Sequence, residues 1–306
     1  MSNKAQSLIS KAAQNNIRMA IVPVDCLSNI KDDITEITHK YTLNDFQNWI
    51  INESYVLDIP ELDFTPKSIV IIVWRMKMAN VVFHYKGKAI QSNIDDAYMY
   101  STEEELIETL FKEEGLHLKD YFWLPLKRLA NRAGLVEYGR NNITYSEDWG
   151  SLIRIKGYFS DIEPEDWQWR EVKNMELCSS CGACVKNCPT GALRNDSFIV
   201  ETDKCISLYN EIGSKPLPEW IPKTAHCRLV DCMKCQEVCP KNKEILRNIS
   251  ETIVFSEDEA ETILAGSDYK SFPEEIKEKL KFFNSQFFNI DFIPQNLRAL
   301  LENPNN

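Results

Sequence analysis

The sequence predicts an α+β fold in three parts, on three observations. Over residues 1–172, apolar strand-like runs alternate with capped helical segments. Residues 173–245 are dense in cysteine. Residues 246–306 carry a polar helical pattern that reads as a short helical tail.

The elements follow in order. Lys4 to Asn15 reads as an amphipathic helix with Leu8, Ile9, Ala12 and Ala13 on one face. Met19 to Val24 reads as a short buried strand, and Leu43 to Glu53 as a helix with Asn44 and Asp45 in its first turn. Pro66 opens the strand Ser68 to Trp74, whose unbroken apolar run suits burial on both faces. Val81 to Tyr85 is a second strand, and Gly87 marks a turn. Ser101-Thr102-Glu103-Glu104-Glu105 starts a helix with acids near the positive end of its dipole, and Gly115 ends it. Pro125 leads the helix Leu126 to Ala133, which Gly134 closes. Ile143 to Tyr145 and Leu152 to Tyr158 read as extended. Pro216, Pro218 and Pro222 mark a loop inside the cysteine segment. In the tail, Ser256 to Glu259 forms a capping box before Ala260 to Leu264, and Pro273 opens a helix through Phe283.

A chain of 306 residues has room for about two domains, and its 43% hydrophobic content supplies a sizeable core. No apolar stretch reaches the roughly 18 residues of a membrane span, and the Met1 segment lacks the features of a secretory signal. A net charge of −11 sets the composition against a polyanionic partner such as tRNA.

Eight of the ten cysteines carry the chemistry. Cys178, Cys181, Cys184 and Cys188 form C-x2-C-x2-C-x3-C-P with Pro189. Cys232, Cys235 and Cys239 form C-x2-C-x3-C-P with Pro240. The first run is a bacterial ferredoxin signature, in which the fourth cysteine serves the other cluster. On that reading Cys178, Cys181, Cys184 and Cys239 hold one [4Fe-4S] cluster, while Cys188, Cys232 and Cys235 hold most of a second. The eighth ligand is Cys205 or Cys227. A zinc ribbon also uses C-x2-C pairs but needs no three-cysteine run closing on Cys-Pro. A disulfide scaffold belongs to small secreted domains. Ligation by reduced thiols points to a cytoplasmic protein. Cys26 and the cysteine left over read as small buried hydrophobes.

A bare two-cluster ferredoxin is far shorter than this chain, so an electron-carrying module is joined to a domain that receives the electrons. The stretch Asp120 to Leu135, with Tyr138-Gly139-Arg140-Asn141-Asn142, Gly150-Ser151, Cys188-Pro189-Thr190, Cys205-Ile206-Ser207, Cys235-Gln236, Cys239-Pro240 and Asn242, resembles the epoxyqueuosine reductase family. Distant relatives of that family are the reductive dehalogenases. The resemblance implies a nitroreductase-like N-terminal domain binding cobalamin, two [4Fe-4S] clusters, and reductive removal of an oxygen from a tRNA nucleoside or another small molecule. It places Cys205 as the eighth ligand, and implies an external electron donor such as a ferredoxin or flavodoxin-like protein. Within it, Tyr138, Gly139, Arg140, Asn141 and Asn142 would form the cofactor turn, and Asp120 falls on the family's proton-donating Asp. Reducing an epoxide to an alkene releases water, so a proton must arrive. Flanked by Tyr121, Phe122 and Trp123, Asp120 would be desolvated and held protonated. The bland reading is a solvated residue before a helix.

The chain departs from the family at Trp123, which stands in place of a Pro, at Val136 in place of a Gly, and at Arg140 in place of a Lys. From Lys241 onward acidic residues outnumber basic ones, so the tail is no basic arm. His84 and His117 read as surface residues, and Trp149, Trp167 and Trp169 as packing residues. An electron-transfer protein without substrate chemistry, docking its acidic surface on a basic partner, is the alternative. A flavin or an empty pocket in the same fold is a third reading.

Overall fold

The computed structural model describes residues 3–96, 101–213, 216–243, 251–266, 269–281 and 290–306. Packing divides the chain into two units, Met1–Arg75 with Tyr100–Cys181, and Met76–Met99 with Gly182–Asn306. The three segments drawn from the sequence follow composition, whereas these two units follow contact, so the boundaries differ.

Unit 1 is built on an antiparallel sheet of β1 (Arg18–Pro23), β2 (Ser68–Arg75), β8 (Ile153–Ser160) and β5 (Leu118–Asp120), in that spatial order. Alternation along β2 feeds two cores. Ile69, Ile71 and Val73 share one with Leu27, Ile30 and Ile34 of α2 (Cys26–Lys40) and Leu129 of α5 (Leu126–Arg132). Val70, Ile72 and Trp74 share the other with Leu8 and Ala12 of α1 (Lys4–Gln14) and Ile107 and Phe111 of α4 (Thr102–Glu113). Each fully buried aliphatic side chain contributes about 1.5–3 kcal/mol, so helices on both faces secure this strand. The capping box of α4 forms as the sequence predicts: Glu104 N–H donates to Ser101 Oγ at 3.2 Å and Ser101 N–H to Glu104 Oε2 at 2.9 Å. The short helix α3 (Asp45–Trp49) carries a second box between Asn44 and Gln47.

Unit 2 begins with a hairpin of β3 (Met78–Tyr85) and β4 (Lys88–Asp95). Its two turn residues, Lys86 and Gly87, have φ of 49° and 73°, the left-handed pair that matches strand twist. The tail supplies β9 (Glu251–Phe255), parallel to β3. This corrects the all-helical tail expected from the sequence. Glu-Thr-Ile-Val-Phe is β-branched and aromatic, and pairing with a strand some 170 residues earlier outweighs its polar setting. Phe255 stacks on Phe83 with ring centroids 4.7 Å apart. Around this pair pack α8 (Glu257–Ala265), α9 (Glu274–Leu280) and α10 (Ile293–Leu301) through Ile263, Leu280, Leu297 and Leu300. Part of the helix expected through Phe283 lies outside the described residues. Among the described residues, no helix is long and apolar enough to cross a membrane.

His84 and His117 are exposed, as expected. Trp149 and Trp169 pack against a core, but Trp167 is 46% exposed, contrary to the packing role expected for it. His117 is held by Asp161, through its N–H to Oδ1 at 2.9 Å and its ring Nδ1 to Oδ2 at 2.7 Å.

Two outcomes test this fold. Phe255→Ala lowers the unfolding free energy by about 3–5 kcal/mol in a denaturant titration, where an appended tail would leave it unchanged. The hydrogen bond to Asp161 raises the His117 pKa. Its stabilisation is therefore complete below the unfolded value of about 6.5 and is lost as pH rises through the higher folded value. In thermal melts, the gap between wild type and His117→Asn is widest in mild acid and closes in alkali; a gap flat with pH refutes the pairing.

Candidate metal centre

The two cysteine runs fold into loops of the same design. Cys178 lies in the short turn Glu176–Ser179. After Cys181 the chain turns left-handed at Gly182 (φ 63°) and enters α6 (Ala183–Asn187), which carries Cys184. After Cys232 it turns left-handed at Met233 (φ 51°) and enters α7 (Lys234–Glu237), which carries Cys235. Alternation of left- and right-handed residues turns successive backbone N–H groups toward one point, a concavity that suits anionic iron–sulfur groups. Both runs then end extended before proline, at Cys188 (ψ 115°) and Cys239 (ψ 123°), as the residue before proline must. Cys205 closes the turn Thr202–Lys204 in the same extended conformation (ψ 123°). The helices α6 and α7 pack against each other.

Met233 is an uncommon occupant of left-handed space and is 3% exposed, so its surroundings must hold it. Arg228, also 3% exposed, pairs with Asp231 at 2.6 Å and Asp95 at 3.2 Å, and bonds Asn93 of β4. Removing one partner of such a buried pair costs about 3–5 kcal/mol. Three amides fasten the backbone of the same loop. Asn296 of α10 donates to Leu229 O at 2.7 Å and to Asn210 O at 2.8 Å. Asn210 donates to Asp231 O at 2.6 Å, and Asn303 to His226 O at 2.9 Å. In the first run, Ala192 N–H donates to Cys188 Sγ at 3.3 Å.

The approach to Cys178 is fastened from unit 1. Buried Asn131 of α5 donates to Lys173 O at 2.8 Å and accepts from Lys173 N–H at 2.9 Å. Tyr138 N–H donates to Lys173 O at 3.0 Å, and Met175 N–H to Tyr138 O at 2.8 Å. Tyr138 and the residues after it form the turn between β6 (Glu137–Tyr138) and β7 (Thr144–Tyr145). Burial pushes the Tyr138 phenol far up, which keeps it neutral. Asn141 donates to Tyr145 Oη at 2.9 Å. Asn142, left-handed at φ 60°, accepts Lys127 Nζ on its carbonyl at 3.1 Å and its side-chain oxygen at 3.2 Å. Arg140 reaches Cys178: its N–H donates to Sγ at 3.4 Å, and Nε and Nη2 donate to the carbonyl at 3.3 and 2.9 Å.

Asp120 ends the edge strand β5, opposite Tyr158. Its side chain is 46% exposed, and Oδ2 lies 2.9 Å from Lys156 Nζ. The sequence left a desolvated acid and a solvated residue as alternatives here; the structure shows a half-exposed side chain, with Phe122 itself 44% exposed. Lys156 also bonds buried Glu104 at 2.6 Å, and Arg154 bonds Glu104 at 3.2 Å. Burial works against the Lys156 ammonium, but its bonds to Glu104 and Asp120 outweigh burial and raise its pKa. Lys156, Arg154 and Glu104 were missed from the sequence. The available signal was two cations at alternate positions of an otherwise apolar strand.

Among the described residues, no three His, Cys, Asp or Glu side chains converge as a single ion requires. A cube spreads its four thiolates wider, because irons and sulfides lie between them. Cys26 is core, its thiol pushed up to about 11 by burial. Cys227 is only half-buried, which corrects the expectation of a buried hydrophobe, and its Sγ donates to Cys232 O at 3.4 Å. Burial raises the Cys205 thiol, so iron would displace its proton rather than find a free thiolate. Cys205→Ser is expected to halve the iron of anaerobically purified protein from about eight to about four, while Cys227→Ser keeps the full count.

Residues 177–242 match the 4Fe-4S double cluster binding domain family. Epoxyqueuosine reductase of Listeria monocytogenes is 31% identical over 115 residues, 38% of this chain and 29% of that protein. The enzyme of Bacillus subtilis is 31% identical over 117 residues, 38% of this chain and 29% of that protein. The matched stretch thus spans about a third of the length of these relatives. A B. subtilis epoxyqueuosine reductase structure, with its catalytic Asp loop swung out of the active site, aligns over 97% of this chain and 81% of that one, at TM-score 0.60 and 19% identity. The Streptococcus thermophilus structure aligns over 98% and 81%, at TM-score 0.62 and 17% identity. A third, bound to an epoxyqueuosine-modified tRNA stem loop, aligns over 97% and 80%, at TM-score 0.59 and 19% identity. The chain carries a double [4Fe-4S] binding domain, and resembles the epoxyqueuosine reductases in fold along nearly its whole length and in sequence over about a third of it.

Proposed function

We propose that this protein is a cytoplasmic iron–sulfur oxidoreductase of the epoxyqueuosine reductase type, with residues 1–172 as a nitroreductase-like substrate domain, 173–245 as the double-cluster domain and 246–306 as its tail. The single observation that carries the reading is the repeated loop, in which a left-handed residue follows Cys181 and Cys232 alike. The donor set suits two [4Fe-4S] clusters: Cys178, Cys181, Cys184 and Cys239 for one, Cys188, Cys205, Cys232 and Cys235 for the other. When bound, these clusters supply single electrons drawn from a ferredoxin- or flavodoxin-like donor.

Cobalamin is the acceptor that the family resemblance implies. The side chains of the cofactor turn do not show a fit to it. Asn141 is spent on Tyr145, Asn142 on Lys127 and Arg140 on Cys178. A Cβ on Gly139 would meet Tyr145 at 2.5 Å, so the space beside it is already filled. The residue that would act on substrate is Asp120, which Lys156 holds at 2.9 Å. Opening an epoxide to an alkene breaks two C–O bonds and takes two electrons and two protons, with water as product. Asp120 would deliver a proton to that oxygen. Its Oδ2 stands 2.9 Å from Lys156 Nζ, so a substrate oxygen would have to enter beside this pair to reach the acid. The engaged turn and the Lys156 pairing favour one second reading, an electron carrier without substrate chemistry.

Metal analysis of anaerobic protein separates the readings: about eight iron with cobalt taken up from added cobalamin supports the reductase, and about eight iron without it supports the carrier. In turnover of epoxyqueuosine-containing tRNA, Asp120→Asn is expected to lose about 10²–10⁴-fold in rate with both clusters intact. Full activity in that variant removes the proton-donor role.

A further inference from the structure

We infer that Arg140 is a positioning residue for the iron–sulfur cluster that Cys178 binds, and that its charge sets that cluster's reduction potential. The inference rests on the double-cluster reading and assigns to the cluster a side chain that the family resemblance gives to another cofactor. Arg140 holds Cys178 at both ends, its backbone N–H on the sulfur at 3.4 Å and two guanidinium nitrogens on the carbonyl at 3.3 and 2.9 Å. The forked contact fixes the peptide after the ligand, while the N–H fixes the ligand atom itself.

The turn that presents Arg140 is rigid. Gly139 on one side has no room for a side chain, since a Cβ would lie 2.6 Å from Asn141 Oδ1. Asn142 on the other is left-handed and tied to Lys127. Met175 N–H donates to Tyr138 O at 2.8 Å, so Arg140 and Cys178 leave a common anchor along two segments and meet again at the sulfur. Reduction adds an electron to the cluster. A fixed cation and an N–H bond on a ligand sulfur both stabilise that added charge and raise the potential. Lysine would keep the charge and lose the fork.

The test compares wild type, Arg140→Gln and Arg140→Lys, purified anaerobically, by iron and sulfide content and by a potentiometric titration followed by electron paramagnetic resonance. The expected result is that Arg140→Gln lowers the potential of one cluster by a factor of about ten or more in its one-electron equilibrium, about 59 mV. The other cluster stays where it was, and Arg140→Lys shifts less. If Arg140→Gln sheds one cluster, restoration of the full iron count in Arg140→Lys upholds the inference, and equal loss in both variants overturns it. Unmoved potentials in an Arg140→Gln protein of full iron content overturn it as well. A wild type without about eight iron overturns the double-cluster reading itself, which keeps the two failures apart.

Discussion

A cube of iron and sulfide must be met by thiolates from several directions, and no short peptide supplies four. That constraint explains the cysteine segment. Each loop offers closely spaced cysteines around a left-handed residue, Gly182 in one and Met233 in the other. Cys188, Cys205 and Cys239 are each held extended instead, and the proposed sets draw on them. Glycine takes the left-handed position freely, whereas methionine takes it under strain. The difference is visible in what surrounds them. The loop entering Met233 is braced by the buried Arg228 with its carboxylates and by side-chain amides from two other segments.

Much of this was legible in the sequence because it is local. Cysteine spacing, Cys-Pro endings, the capping boxes at Ser101 and Ser256 and the unbroken apolar run of β2 act within a few residues, and each appears where the pattern puts it. What escaped depends on partners far along the chain. The helix α2 starts without a side-chain cap, and much of its burial comes from β2 and α5, which follow well after it in the sequence. The strand β9 exists through β3, some 170 residues earlier, whereas β4 escaped because it is polar, although its partner lies just across the turn.

The same division runs through the candidate site. The eight candidate ligand cysteines could be proposed from spacing with one ambiguity, but the surroundings of Asp120 could not. Its partner Lys156 arrives from the neighbouring strand through sheet register, and no spacing rule reports register between strands so far apart. Arg140 is a parallel case. A polar turn reads as a cofactor contact until the chain is folded, when its guanidinium proves to be on the carbonyl of a cysteine.

The bracing of the second loop also has a temporal side. The carbonyls of His226 and Leu229 are gripped by Asn303 and Asn296, which the ribosome makes well after this loop. Synthesis proceeds at about 5–20 residues per second, so Cys232, Cys235 and Cys239 emerge several seconds before Asn296 and Asn303, while Asn93, Asp95 and Asn210 are already made. The loop that carries these cysteines is therefore only partly braced when first made, and the rest of its bracing waits for Asn296 and Asn303.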